Sequence, residues 1–402
     1  MRKRILILGG SRFQVPLIRR AKERGLQVIT CDYLPENPGH RLADEYHDVS
    51  TTDREAVLAL AKRIGIDAVA SFSSDPAMPT VAYVASALGL PGPPPEAIVR
   101  LTDKGAFRRL MAEAGLRTPR HWLVEANPAG ASGDIAAAVS ASVSRLIVKP
   151  VDSCGSRGVS VVAPERDQIA RAVQAALAHS RAGRCIVEQY IDGRHLHGDG
   201  FLHDGRLVHH YLGDQGFVAG TQDTLPVSTF WPSRHDDAVL ADAARQVEAI
   251  AQAAGLADGP LNIEARVDSA GQAWIIEIGP RNGGDYIPII QQRLTGFDFV
   301  GSVLDGALGR LPSAVPTAAR RGVGACYTLH ADRDGAFAGM RVSEAIRDRL
   351  VLLETIKKEG EPVRRHADAS TSIGVALLQF ASVAERDRLA ADLPLHLAPL
   401  IR

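Results

Sequence analysis

Two glutamates, Glu264 and Glu277, lie in the apolar segments LNIEARV and WIIEIG, which read as strands at 261–267 and 273–278 joined by a turn at 268–272. On paired strands the two acids can face each other across the ladder. Two carboxylates on one face supply the oxygen ligands that magnesium takes and shares with substrate phosphates. Arg281 and Asn282 follow in Arg-Asn-Gly-Gly. The arginine could neutralise charge on a transferring phosphoryl group, and the asparagine could complete a metal shell. The competing reading, two strand glutamates facing water, is weakened by Leu261, Ile263, Ile275, Ile276 and Ile278 around them. An acid within an apolar strand needs a partner.

Lys149 ends a strand over 145–149 and precedes the loop DSCGSRG, residues 152–158. Backbone amides freed by Gly155 and Gly158 can point at phosphate oxygens, with the lysine as a point charge. The lysine precedes the glycines, so this is not the GxxxxGK[ST] loop, and taken alone the segment fits a glycine-bearing hairpin with an exposed lysine better. Cys154 inside the loop reads as a small residue whose oxidation would impair phosphate binding. Glu188 and Gln189 end the run CIVEQ before Tyr190 and Ile191. Backbone at such a strand end can meet an adenine edge; a plain strand-to-turn transition fits as well.

The elements that would carry these residues begin with strands at 4–8, 27–31 and 68–72, alternating with helices at 15–25, 54–64 and 80–88. This is the pattern of a doubly wound parallel sheet. PGPPP at 91–95 marks a boundary. A helix follows over 104–114, a loop and surface helix over 127–144, a strand at 159–162 and a helix at 166–179. Runs at 185–190 and 198–202 read as strands of one antiparallel sheet, with a hairpin turn at Asp204-Gly205 before a strand at 206–211. Residues 213–232 have few periodic apolar positions and read as a mobile, substrate-facing loop. A long helix spans 236–254, and the last strands fall near 322–329 and 372–380.

Composition narrows the class. Of 402 residues, 46% are hydrophobic and 23% charged, a globular balance, and Lys plus Arg equals Asp plus Glu at 46 each. No long-range positive field exists to draw in nucleic acid or an anionic membrane. No run of about 18 apolar residues predicts a membrane span, and the N-terminal apolar stretch Ile5–Leu8 is too short for a signal peptide. Four scattered cysteines without a CxxC pair predict neither zinc nor a disulfide framework, and fit a cytoplasmic protein.

Together these segments, in this order, resemble the ATP-grasp superfamily of carboxylate–amine ligases over nearly the whole chain. LTDKGAFRRLMAEAGLRTP is similar to the family segment with the first nucleotide-binding lysine, here Lys104. LIVKPVDSCGSRGVSVV resembles the second, Lys149, with its phosphate-covering loop. CIVEQYIDG resembles the adenine hinge, and LNIEARV with WIIEIGPRNGG the metal-binding pair. The resemblance implies an N-terminal Rossmann-like sheet (1–98), two lobes clasping ATP (99–184 and 185–312) and a small C-terminal α+β module (313–402). It implies that Lys104 and Lys149 hold phosphates under Ser156, Arg157 and Gly158. Glu188 and the Gln189–Tyr190–Ile191 backbone would hold adenine. Glu264, Glu277 and Asn282 would hold two magnesium ions, a role open to manganese, and Arg281 would steady an acyl phosphate. The implied reaction forms an amide or peptide bond and releases ADP and phosphate. Its partners are a small-molecule carboxylate and an amine, with a homodimer as the assembly and neither nucleic acid nor membrane involved.

Two departures stand out. Gly193-Arg194-His195 lacks the glutamate that usually anchors the ribose, leaving His195 to bond a hydroxyl or to be a surface histidine. Gly279 replaces the asparagine of Glu-Ile-Asn-Pro-Arg, so Asn282 takes over the ligand role or the second metal binds more weakly. Candidates for substrate contact are His209, His210, Asp214, Thr221, Asp285 and Tyr286. Two other readings compete. A nucleotide-binding oxidoreductase needs GxGxxG after the first strand, and Gly9-Gly10-Ser11-Arg12-Phe13-Gln14 fails it. A non-catalytic ATP-binding module is opposed by the retained acids, arginine and both lysines.

Overall fold

The computed structural model describes residues 2–125, 131–138, 143–153, 155–310 and 321–402. Near the N-terminus, β1 (Arg4–Leu8), β2 (Gln27–Asp32), β3 (Glu45–Asp48) and β4 (Ala68–Ala70) form a parallel sheet in the order β3-β2-β1-β4. Both faces of β1 are buried, which is why its sequence is an unbroken apolar run. Ile5 and Ile7 pack against Leu17 and Ile18 of helix Val15–Glu23, whereas Leu6 and Leu8 pack against Val57, Leu60 and Val81. Strand β3, EYHD, has no apolar signal and went unpredicted at the sheet edge. A second unpredicted element, helix Pro95–Thr102, starts where the proline run suggested a break; proline is favourable in a first turn.

A second sheet joins β5 (His121–Glu125), β6 (Leu146–Pro150), β7 (Ser160–Val162) and β8 (Arg184–Gln189) in the order β5-β8-β6-β7. The strand expected at 185–190 therefore does not share a sheet with 198–202, and the expected boundary after residue 184 cuts into β8. The chain changes sheets at Gly193, whose φ is +150° and where a Cβ would lie 2.0 Å from the Val267 carbonyl.

The largest sheet contains β9 (Arg194–His203), β10 (Arg206–Phe217), β11 (Pro226–Trp231), β12 (Gly259–Val267), β13 (Ala273–Gly279), β14 (Val323–Leu329), β16 (Leu350–Thr355) and β18 (Gly374–Phe380). Its eight strands run in the order β13-β12-β9-β10-β11-β14-β18-β16. Strands β15 (Gly335–Val342), β17 (Pro362–Val363) and β19 (Leu397–Ile401) form a small sheet beside it. Most of 213–232 is strand, hidden by Gly213 and Gly216; at Gly213 a Cβ would meet the Phe230 carbonyl at 2.5 Å. The C-terminal strands continue the large sheet, because β14 pairs with the free edge of β11.

Helix Asp237–Ala254 covers one face of the large sheet, where Val247 and Ile250 meet Leu196, Ile263 and Ile275. The opposite face carries the polar residues considered next. No helix among the described residues is long and apolar enough to cross a membrane.

Candidate active site

Glu264 and Glu277 are register partners on β12 and β13. Alternation along the strands sends Ile263, Ile275 and Ile278 into the core and leaves the acids on the other face. Burial and the neighbouring Glu277 raise the Glu264 carboxyl to about 7. Asn282 lies just beyond β13, its Nδ2 3.4 Å from Asp199. Its Oδ1 is buried without a hydrogen-bond partner. Two facing acids and an unmet carbonyl oxygen form the donor set a hard divalent cation takes. Asp199, missed in the sequence, organises this corner: it accepts from Asn262 Nδ2 at 2.9 Å and from the Gly283 amide at 2.9 and 3.0 Å. Burial pushes its carboxyl up to about 6 against those bonds. Its only signal was an acid between two glycines, Gly198 and Gly200, in an otherwise periodic strand.

Cations approach from the second sheet. Lys104 opens helix Lys104–Glu113, N-capped by Asp103 through the Ala106 amide. Its Nζ donates to the Ser153 carbonyl at 3.0 Å and lies 3.3 Å from Glu277. Lys149 Nζ lies 2.6 Å from Glu188, and Arg108 Nε donates to the same carboxylate at 2.6 Å. Burial opposes ionisation of Glu188, but Arg108 and Lys149 outweigh it and hold the carboxyl well below the ordinary range. The carboxylate expected to meet adenine is thus the counter-ion of two buried cations. Arg108, also missed, donates through Nη2 to the Ile276 carbonyl at 2.9 Å, tying β8 to the strand that carries Glu277. Burial lowers the Lys149 pKa, Arg108 adds to this, and Glu188 opposes both. Two cations on one anion leave this triad with net charge +1, so one positive charge is available to a phosphate.

A cavity of about 310 Å³ opens at this junction, lined by Asp75, Lys104, Ser153, Glu277 and Gly279. Asp75 on its wall engages Arg281: Nε donates to Asp75 Oδ1 at 2.6 Å, and Nη2 bonds the other carboxylate oxygen. The unusual Gly279 makes room for this pair, since a Cβ there would sit 3.0 Å from Arg281 Cζ and 3.2 Å from Asp75 Oδ1.

The family model for the ATP-grasp domain matches residues 143–289, the span from Lys149 through Glu264, Glu277 and Asn282. Residues 143–289 are an ATP-grasp domain. It is 27% identical over 404 residues to the formate-dependent phosphoribosylglycinamide formyltransferase of Stenotrophomonas maltophilia, covering 97% of this chain and 94% of that protein. Alignments with the Burkholderia enzymes of that name reach only 46% of their length. An L-amino acid ligase from Bacillus licheniformis shares the fold, with TM-score 0.83, 22% identity and coverage of 100% and 99%. So does the biotin carboxylase domain of Hydrogenobacter thermophilus 2-oxoglutarate carboxylase, a structure in complex with MgADP (TM-score 0.76, 18% identity, coverage of 100% and 91%).

In ATP-grasp terms, the hinge follows β8. The Gln189 and Tyr190 amides already donate to the Arg120 and Arg145 carbonyls. The Tyr190 ring lies between Arg145 and Arg266, 4.2 and 4.1 Å from their guanidinium carbons, and the Ile191 carbonyl accepts from Arg266. His195 is no surface histidine. Its ring packs 4.3 Å from Phe217, its Nε2 lacks a hydrogen-bond partner, and burial next to Arg266 drives its pKa down to about 2. In the loop expected to cover phosphates, Ser156 and Gly158 adopt left-handed conformations (φ 64° and 72°), and Arg157 lies beside Asp368. Cys154 lies outside the described residues.

Three substrate candidates have structural work instead. His209 stacks on Phe297 at 4.4 Å, Asp214 accepts from Ser233 and Arg234, and Thr221 bonds the Val218 carbonyl. His197, not considered from sequence, faces Glu264 across the ladder. Asn262 Nδ2 must donate to Asp199, so it also donates to His197 Nε2 at 3.1 Å; the His197 proton therefore sits on Nδ1, towards Thr229. Burial and Arg281 keep this imidazole neutral, lowering its pKa to about 4.

Proposed function

We propose that the chain is an ATP-dependent carboxylate–amine ligase. A substrate carboxylate oxygen attacks the γ-phosphorus of ATP and ADP departs; a neutral amine nitrogen attacks the acyl carbon, the carbon–oxygen bond to phosphate breaks, and the nitrogen's proton passes to solvent. The observation that carries this reading is the facing pair Glu264 and Glu277, with the unmet Asn282 Oδ1 beside it and Lys104 on its rim.

Glu264, Glu277 and Asn282 would hold magnesium, two ions in this reading, with manganese as a substitute. The metal neutralises phosphate charge as a Lewis acid. Lys104 and Lys149 bind phosphate oxygens, Lys149 exchanging part of its contact with Glu188 for the nucleotide. Ser156, Arg157 and Gly158 cover the phosphates. The Ile191 amide supplies the hinge donor for adenine, because its two predecessors are already paired. His195 lies near the ribose as an apolar-packed acceptor. Arg281 steadies the acyl phosphate, and Asp75 fixes its orientation through the paired edge of the guanidinium. Little covalent help is needed from the protein, so positioning and charge neutralisation dominate.

The test is a screen of acid and amine pairs with MgATP, read out by ADP release and product mass. ADP release that requires both partners supports the ligase; nucleotide binding with no such release from any pair favours a binding module.

A further inference from the structure

The face of the large sheet that carries Glu264 continues across His197 and Thr229 to Thr328 on β14. There it meets Asp285, four residues beyond Arg281 and so within about 14 Å along the chain. Asp285 Oδ2 accepts from Thr328 at 3.0 Å, and its carbonyl accepts from Cys326 Sγ at 3.2 Å. Asp285 and Tyr286 both hold left-handed backbone, φ 50° and 58°, which is costly for side chains of this kind. Across from them stands the turn that follows β1, at the carboxyl end of a parallel strand, where open α/β sheets place ligands.

Arg12 is the charged residue of that turn. Its guanidinium lies 4.6 Å from the Phe13 ring centroid, and its backbone carbonyl is held by Tyr286 Oη at 3.1 Å. The side chain is 13% exposed, yet its only ion pair among the described residues, with Asp285, is a loose 3.7 Å. Its Nη1 is buried with no hydrogen-bond partner among the described residues. Elsewhere the guanidiniums bordering this site are closely paired, Arg281 at 2.6 Å to Asp75 and Arg108 at 2.6 Å to Glu188. A buried N–H without an acceptor costs roughly 1–3 kcal/mol, and more where charged. Maintaining one beside a strained acid on the reacting face suits a ligand that completes both groups.

We propose that Arg12 and Asp285 form a subsite for a zwitterionic amine substrate, an amino acid whose free carboxylate meets Arg12 and whose amino group lies against Asp285. This rests on the ligase reading and narrows its amine to one bearing a carboxylate. The loose ion pair becomes an alternating array of four charges in which every charge has an opposite neighbour. Burial raises the Asp285 carboxyl, with Arg12 and Thr328 opposing, consistent with an acid lacking a close counter-charge.

The experiment compares wild type with Arg12→Met and Arg12→Lys. MgATP and an acid partner are supplied with amino acids or with the matching carboxamides, and ADP release is followed. We expect wild type to favour the free amino acids by about tenfold or more, the scale of one charge-assisted hydrogen bond. Arg12→Met should erase the preference through KM for the amine while leaving KM for ATP unchanged, and Arg12→Lys should restore part of it. An unchanged preference in Arg12→Met overturns the subsite. A preference that instead follows a second carboxylate on the acid partner overturns its assignment to the amine. If no pair releases ADP, the ligase reading falls and binding decides. A melting temperature raised by free amino acids over carboxamides in wild type but not in Arg12→Met upholds the subsite, and equal shifts reject it.

Discussion

Glu188 and Glu264 are both strand carboxylates enclosed by protein on the two sides of one cleft, yet their charge environments are opposite. Glu188 is flanked by Arg108 and Lys149, and its carboxyl is held far below the ordinary range. Glu264 faces another glutamate, and burial with that neighbour lifts its carboxyl to about 7. Burial penalises both anions, so the difference comes from what surrounds them. The satisfied acid belongs to the framework; the unsatisfied one marks where a ligand's charge belongs.

The contrast is broken most severely at the metal pair. Glu277→Gln should lower ADP release by about 10³-fold, on the scale of losing several kcal/mol of charge stabilisation. The far-ultraviolet circular dichroism and melting temperature should stay close to wild type, because the loss relieves repulsion at Glu264. On the satisfied side the ranking reverses. Arg108→Met leaves Glu188 with Lys149 alone and should cost about 3 kcal/mol of stability by urea denaturation, the scale for removing one partner from a buried ion pair. It should also raise KM for ATP, because Lys149 is then bound one-to-one to Glu188.

The two acids should also separate by pH. The folded-state pKa of Glu264 is raised, so its protonated form favours the metal-free fold. That contribution is full below the ordinary carboxylate range and is lost as pH rises through about 7. Metal needs the ionised form, so apparent magnesium affinity should rise up to about tenfold per pH unit below 7 and level off above it. Glu188 is shifted the other way, so its contribution is present above the ordinary range and is lost only in strong acid. Titrating magnesium-dependent nucleotide binding between pH 5.5 and 8.5 checks the first; acid denaturation checks the second. A smaller effect is expected from Gly279→Ala, whose Cβ would press on Arg281 Cζ and Asp75 Oδ1. A stability loss of about 1 kcal/mol with a several-fold fall in kcat should follow.

What could be read beforehand follows the same physical divide. The placements of Lys149, Glu264 and Glu277 were legible because each sits at a defined place in a periodic element, a strand end or one of two alternating strands; Lys104 was singled out by the family resemblance. Their partners were not. Arg108 looks like any polar residue in an amphipathic helix until the fold brings it to Glu188, 80 positions away. Asp75 meets Arg281 across 206 positions. Glu188 was expected at adenine from the family resemblance, and a strand pattern cannot show that Arg108 and Lys149 arrive from elsewhere to pair with it. In the fold, β3 lacked apolar residues, and the glycines of β10 that let neighbouring backbone approach closely resembled a loop. The junction of β11 with β14 is a pairing between edges, which no local pattern encodes.

The central claim is that Glu264 and Glu277 bring a divalent cation to nucleotide phosphates. Its most direct test is calorimetric titration of a non-hydrolysable ATP analogue, with and without magnesium, into wild type and the double variant Glu264→Gln/Glu277→Gln. Tenfold or greater tightening by magnesium in wild type, absent from a folded double variant, is the predicted result. The same magnesium-dependent tightening in both proteins would contradict it.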